Sequence, residues 1–433
     1  MDLVRRCRFW VLAPLLCIGL VSACKSRPKQ TDRSNDRIAS QERAQTARRN
    51  AALSLPYLSS APVSASEEQK KGVIQNVPER VFRGLTVYCD ERSRELLFVN
   101  LDGDIVHRIR PAGIRCNFGL PFQKDFLVIG DKTILRIDWN SRVVWSVKDF
   151  EAHHDFAIDG DGNINVLIQR IATIQHKGKP LAINDNGILT LSPDGAVLRS
   201  VWMSELLRTL IPEAMLDSAA AYMAGTDNPK AGWNNPTDLF HINTITFLDR
   251  DRGNTRAGNV LLCSRHLDSL FAIDLKSRQV TWRWGTGILE GPHHPTQVAA
   301  NLLVLDNGMF RGHSRLLEIE PEGEDDADIE WQYEDPPEFF TASRGGAQRL
   351  ANGNHFITQA DSGRLFEIAP DKTIVWEYWN PNLTRAKSGK PAHRVLIYRA
   401  YRLAPEEVGA PEFRALFEAG LTRAERQQRS AVR

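Results

Sequence analysis

Residues 238–285 read DLFHINTITFLDRDRGNTRAGNVLLCSRHLDSLFAIDLKSRQVTWRWG. β-Branched and aromatic residues gather in four short runs, at 241–248, 259–265, 269–274 and 280–284, separated by turn-forming and charged residues. Runs of this kind predict strands joined by hairpins, and four in succession make one blade of a β-propeller. The same stretch places polar residues at strand ends, since His241 opens the first run and Arg265 ends the second. The ends of inner propeller strands face the central channel, which makes both residues candidates for a functional site.

Working outward, the unit recurs. A strand ending in Ile-Asp or a close equivalent leads through a turn to a strand ending in Trp: Ile137-Asp138 to Trp145, Ile273-Asp274 to Trp282, Ile319-Glu320 to Trp331, and Ile368-Ala369 to Trp376. A looser copy runs from Leu191 through Pro193-Asp194-Gly195 to Trp202, and a first copy, without Trp, spans 96–109. A repeat of about 40 to 50 residues signals a propeller or a solenoid. Six units between Val81 and Tyr401 predict an all-β, six-bladed propeller. Radial closure protects strand edges, and the repeated Trp residues are expected to pack between blades. The turn Asp159-Gly160-Asp161-Gly162-Asn163 is a hairpin signal; a calcium loop is disfavoured because its twelfth position is Arg170 rather than Glu.

The 433 residues are 42% hydrophobic and 25% charged with a net charge of only +2, so no global field draws the chain to nucleic acid. Of six cysteines, Cys89, Cys116 and Cys263 lie in the body, and no CxxC pair suggests structural zinc. Cys89 and Cys116 could pair in an oxidising compartment, leaving Cys263 reduced.

Arg5, Arg6 and Arg8 precede an apolar run from Phe9 to Val21, the pattern of an export signal, too short for a transmembrane helix. The ending Leu20-Val21-Ser22-Ala23-Cys24 resembles the lipobox of bacterial lipoproteins. That resemblance implies a signal peptide over 1–23, lipidation and membrane attachment at Cys24, and a periplasm-facing protein, with Lys25 favouring the outer membrane. Residues 24–76 are polar and poor in aromatics, as expected of a disordered tether. The propeller is expected over 77–405 and an Arg-rich helical tail over 406–433. Residues 204–237 carry a helical pattern through Leu206, Leu207, Leu210, Ile211, Met215 and Leu216. They form an insertion between the third and fourth blades, either a lid over the channel or a packed excursion. A strand near residues 395–403 is expected to close the ring.

Histidines number eleven, yet they gather where blades begin: His153-His154-Asp155, His241 and His293-His294-Pro295. Equivalent repeat positions converge on one axis, so the fold should bring them together with Arg265. A guanidinium fork and imidazoles suit a sulfate- or phosphate-like oxyanion, and imidazole serves as nucleophile or general acid near neutral pH. The same histidines would suit a transition metal, which the charge of Arg265 opposes.

HHDF at His153, FHINTI at Phe240, LLCSRHLDSLFAID at Leu261, LLVLDNG at Leu302, SRLLEIEP at Ser314 and GGAQRLANGNHFITQADSGRLFEIAPDKTIVWEYWNP at Gly345 resemble the bacterial arylsulfotransferase family, across residues 81–403. The resemblance implies a propeller enzyme of the bacterial envelope. It would move a sulfuryl group from an aryl sulfate donor to a phenolic acceptor through a sulfated histidine, with no nucleotide donor, cofactor or metal. It casts His294 as nucleophile, with His241, Arg265 and His154 holding the sulfuryl oxygens and moving protons. His153, His293, Arg311 and Arg315 are secondary substrate-binding candidates. Pro295, where the family has Asp, and Cys263, where it has Ser, depart from the pattern. The alternative is a non-catalytic, lipid-anchored propeller that binds an anionic ligand or an envelope protein at the same channel.

Overall fold

The computed structural model describes residues 65–111, 113–226, 235–384 and 392–421. The expected signal segment, Cys24 and most of the tether lie outside them, as does the tail beyond Leu421. Among the described residues, no helix is long and apolar enough to cross a membrane.

Six antiparallel sheets of four or five strands follow one another along the chain as six blades. In the unit that opened the sequence analysis, the strands are Ile242–Phe247, Val260–Ser264, Ser269–Asp274 and Gln279–Trp284, in that spatial order from the axis outward. The ring closes where residues 395–403 were expected to close it. Strand Ile397–Leu403 becomes the inner strand of blade one, pairing with Leu85–Asp90 from Leu85↔Leu403 to Asp90↔Ile397.

A second closure was not anticipated. Gly72–Asn76, assigned to the tether, instead forms a fifth, outermost strand of blade six against Ile374–Trp379. An outer edge otherwise left unpaired is thereby covered. Residues 72–76 therefore belong to the propeller rather than to the expected tether, because GVIQN is apolar enough to dock on an available edge.

Each interface between adjacent blades holds its own apolar cluster. Blades one and two meet through Phe98, Phe126 and Leu135, and blades four and five through Leu261, Trp282 and Val304. The repeated Trp residues lie at these interfaces, as expected. Trp145 of blade two donates its indole N–H to the Pro193 carbonyl of blade three (3.1 Å). Trp282 of blade four does the same to Asp326 of blade five (2.9 Å), and Trp376 of blade six to Leu101 of blade one (2.9 Å). A large apolar ring with one satisfied donor suits a buried seam of this kind.

The third blade departs from the repeat. Its second and third strands, Ile164–His176 and Lys179–Leu191, pair over 13 residues each, whereas the inner strand Glu151–Ile158 reaches only to Gln169. The hairpin therefore projects beyond the sheet at the end where His153 and His154 lie. The insertion packs on this projection. It forms a short helix Met203–Leu206 and a longer one Glu213–Met223, separated by Pro212, whose missing N–H suits a helix start. Met203, Leu207, Ile211, Leu216 and Ala219 share one cluster with Leu181, Ile183, Phe240 and Ile242. Asp217 accepts hydrogen bonds from His176 (2.8 Å) and Lys177 (2.5 Å) of the hairpin tip. The described part of the insertion is thus packed against blades three and four, and its residues 227–234 lie outside the described residues. The start of the tail is helical at Pro411–Ala419 and packs Phe413 against Phe98 of blade one.

Cys89 and Cys116 form a disulfide with a Cα–Cα distance of 5.4 Å, joining blade one to the segment that leads into blade two. Cys263 is buried as a thiol. The bond closes a loop of 27 residues, so chain-entropy arguments give it about 3.5 kcal/mol. Changing both cysteines to Ser is expected to lower the unfolding free energy by about that amount in urea titrations. Identical midpoints in the two proteins would contradict it.

Candidate functional site

The site grows from one irregularity repeated around the axis. The inner strands of blades three, four and five each carry a register shift near their first residues, opposite Leu167, between Ile242 and Thr244, and between His293 and Thr296. Bulges of this kind re-aim side chains. At each of them a histidine takes left-handed backbone geometry: His154 (φ 57°), His241 (φ 44°) and His294 (φ 52°). Arg344, leading into the inner strand of blade six, does likewise (φ 60°). Non-glycine residues held there cost of order 1 kcal/mol each and mark places where the surroundings impose the backbone.

The structure brings His153, His154, His241 and Arg265 together, and adds two residues that sequence reasoning missed, Asp238 and His266. The rings of His154 and His241 meet edge to face at 5.0 Å, and those of His241 and His266 lie 4.7 Å apart. His153 and His154 face each other through their Nδ1 atoms. Asp238 accepts a hydrogen bond from His241 Nδ1 (2.6 Å), and its backbone carbonyl accepts one from His266 Nδ1. Arg265 is 4% exposed; its backbone N–H donates to the His241 carbonyl (3.1 Å) and its Nη1 approaches His266 Nε2 (3.4 Å). The signal for Asp238 was available in its three-residue spacing from His241, and that for His266 in its place beside Arg265.

His293 and His294 occupy deeper positions, 2% and 3% exposed. His293 Nδ1 donates to Asn307 Oδ1 (2.8 Å) and its Nε2 accepts the Arg344 backbone N–H (3.2 Å), which ties blade five to blade six. His294, the expected nucleophile, engages the Tyr401 hydroxyl of blade one through Nε2 (2.6 Å). Its ring lies against Gly346, where a Cβ would stand 2.5 Å from His294 Nδ1. Attack through Nε2 therefore requires Tyr401 to release its hydrogen bond.

Arg311 and Arg315 do not fit the substrate-guiding role expected of them. Both bind the fully buried Asp306 carboxylate, at 2.9 and 2.7 Å, and that carboxylate offsets their charge inside blade five.

Below the histidines the axis is filled. Asp155 and Arg399 form a buried ion pair (2.9 Å), and Arg399 reaches the Thr244 hydroxyl (3.3 Å). Thr244 accepts the His294 backbone N–H (3.0 Å), while Asn243 donates to the Pro292 carbonyl (2.8 Å). The same carbonyl receives the Cys263 thiol (3.1 Å), whose pKa burial raises well above its ordinary value. The His-Ile-Asn-Thr run is thus a brace between blades four and five.

Burial is the main cause of the imidazoles' low basicity. It lowers His153 to about 4 and His266 to about 3, and holds His154, His293 and His294 well below the ordinary range, with Arg265, Arg399 and neighbouring histidines adding to the effect. Asp238 stays ionised: burial opposes the charge, but His241, His266 and His153 together hold its pKa below the usual carboxylate range. At neutral pH the mouth thus offers the neutral imidazoles of His153, His154 and His266 beside one guanidinium and one carboxylate. That combination can accept and donate protons and bind an oxyanion.

Two groups have donor spacing that a metal ion could use, Asp238–His241–His266 and His176–Glu213–Asp217, with ligand atoms within 4.8 Å of one another. Each has a cation in attendance, Arg265 in the first and Lys177 in the second.

A family model described as Arylsulfotransferase (ASST) matches residues 128–381, well over half the chain and including every histidine of the site. No curated protein matches the sequence. Solved structures that match include a protein of unknown function from Bacteroides caccae (14% identity, TM-score 0.47, covering 74% of this chain and 98% of that one). Another is virginiamycin B lyase from Staphylococcus aureus (12% identity, TM-score 0.40, covering 74% and 90%).

Two outcomes follow from the packing and the protonation states. Gly346→Ala drives a methyl group into the His294 ring and is expected to cost about 1 to 3 kcal/mol; an unchanged urea midpoint would contradict the contact. His153, His266 and His355, the last lowered to about 3 chiefly by burial, bind fewer protons folded than unfolded. Their contribution is complete above about pH 6.5 and is lost as pH falls toward the folded values, so stability rises with pH through that window. The urea midpoint should drop from pH 7 to pH 5. His355→Phe, which keeps an aromatic ring against Trp331, should make that drop smaller.

Proposed function

The chain belongs to the arylsulfotransferase family, and on that premise we propose that it transfers a sulfuryl group from an aryl sulfate to a phenol through a sulfated histidine. The observation that carries this reading is the convergence of Arg265 with His154, His241 and His266, with His293 near enough to feel the charge of Arg265 and His241. Sulfuryl transfer needs an uncharged nitrogen nucleophile, a fixed cation for the oxygens, and a proton donor for the leaving phenolate.

In the first half-reaction the nucleophilic imidazole nitrogen bonds to sulfur as the bond from sulfur to the aryl oxygen breaks. The sulfated ring, now cationic, gives up the proton on its other nitrogen, and a neighbouring imidazole relays it to the phenolate. In the second, the acceptor phenol returns a proton to that imidazole and attacks sulfur, and the nitrogen–sulfur bond breaks. His294 is the proposed nucleophile, once Tyr401 turns its hydroxyl away from Nε2; Arg265 holds the sulfuryl oxygens and His241 moves the proton. Export as a lipoprotein anchored at Cys24, facing the periplasm from the outer membrane, belongs to the same proposal. Its support is the sequence of residues 5–24, and a disulfide at Cys89–Cys116 suits an oxidising compartment.

One observation favours the second reading, a non-catalytic anion-binding propeller: the Tyr401 hydroxyl occupies the nitrogen that should attack.

Full-length protein assayed with chromogenic aryl sulfates, with and without a phenol acceptor, separates the two. Acceptor-stimulated phenol release is expected, abolished by His294→Ala and reduced on the order of 10²- to 10³-fold by Arg265→Ala. Mass spectrometry of donor-treated protein should find one added SO₃ group on the peptide containing His294. Silence across donors from a folded protein supports the binding reading.

A further inference from the structure

The roles assigned above leave Asp238 without one, although it makes the closest polar contacts at the mouth of the channel. We propose that Asp238 is a positioning residue that sets the tautomers of His241 and His266 and thereby decides which nitrogen faces the substrate.

Three hydrogen bonds converge on it. Its Oδ2 accepts from His241 Nδ1–H (2.6 Å), its Oδ1 accepts from the His241 backbone N–H (3.3 Å), and its own carbonyl accepts from His266 Nδ1–H. The residue is itself anchored. Its backbone N–H donates to the Asn235 carbonyl (2.9 Å), and Leu239 and Phe240, which follow it, are fully buried. A carboxylate only accepts, so an imidazole bonded to it must place its proton on the bonded nitrogen. His241 then carries its proton on Nδ1 and directs the Nε2 lone pair away from Asp238. His266, with Nδ1 committed to a carbonyl, likewise turns an Nε2 lone pair toward Arg265 Nη1 (3.4 Å). One carboxylate and its carbonyl thereby orient two imidazoles and, through the second, a guanidinium.

The electrostatics agree with this geometry. His153, His154, His266 and His293 all lie close enough to His241 for each to feel its charge, and Arg265 adds to the positive side. A proton arriving on His241 Nε2 would face repulsion from that ring of groups. The ionised Asp238, hydrogen-bonded at the opposite nitrogen, is the counter-charge that makes the imidazolium tolerable.

The role of His241 as proton carrier rests on the sulfuryl-transfer reading, but its tautomer does not, and the experiment separates them. Full-length protein labelled with [¹⁵N]histidine, with the His241 signals assigned through a His241→Phe variant, reports by NMR which ring nitrogen carries the proton. The wild type should show Nδ1–H. Asp238→Asn presents an amide N–H to Nδ1 and should reverse the tautomer to Nε2–H. With a working aryl sulfate assay, the same variant should lose on the order of 10²- to 10⁴-fold in kcat, as a misplaced proton does in hydrolase triads, with KM changed less than about threefold. Asp238→Glu, which keeps the acceptor, should restore Nδ1–H and part of kcat; it also serves if the Asn variant folds poorly. An unchanged tautomer in Asp238→Asn overturns the proposal whatever the activity, as does a reversed tautomer with unchanged kcat. So does Zn²⁺ that binds wild-type protein tightly at one equivalent and displaces the Nδ1 proton, since Asp238, His241 and His266 would then be ligands. If no donor is turned over, the sulfuryl-transfer reading fails and the NMR result alone decides the role of Asp238.

Discussion

Everything in this molecule depends on closing a ring of sheets whose apolar seams each join one blade to the next. An open ring would expose the second strand of blade one along its inner edge and would leave the axial side chains facing water. The strand Ile397–Leu403 removes that edge by pairing with Leu85–Asp90 across more than 300 residues of chain. Loop-closure entropy grows only slowly with such a separation, so the apolar seams between blades can compensate for it. Gly72–Asn76 adds a second clasp on the outside of blade six, and the disulfide fastens blade one to the approach to blade two. The ring is thus joined at the inside, at the rim and covalently.

Closure also creates the chemistry. Polar groups that lie far apart along the chain are pressed together at the inner-strand starts, where burial strips their water. The cost of charging an imidazole there explains why His153 and His266 stay neutral while Asp238, held by its neighbours, remains ionised beside them. Left-handed backbone at His154, His241 and His294 is the local expense of aiming three histidines from three bulged strands at one axis. The brace from Asn243 and Thr244 to Pro292 and His294 holds two of those strands in mutual register. The site is consequently no looser than the seams that support it.

Much of the architecture was legible in the chain, because strand period, turn residues and the recurring Trp are local signals. Trp145, Trp282 and Trp376 each announce a blade, and each reaches a carbonyl of the next. Less legible was the fate of pieces whose partners are distant. GVIQN at 72–76 resembles the end of a linker until an open strand edge is known to exist, and the long hairpin of blade three has no counterpart in the other repeats. Arg311 and Arg315 looked available for substrate only while Asp306 was not known to stand beneath them.

The sequence by itself determined the six-fold repeat, the histidine-bearing strand starts and the presence of Arg265, since these follow from residue type and spacing along one chain. Which nitrogen each histidine offers was decided by the tertiary structure alone. His241 is turned by Asp238, three residues away, but His293 is held by Asn307 and Arg344 of its own and the next blade, and His294 by Tyr401 of the first. A ring nitrogen takes its role from whatever donor or acceptor meets it in space, and that partner is set by ring closure rather than by neighbours in the chain.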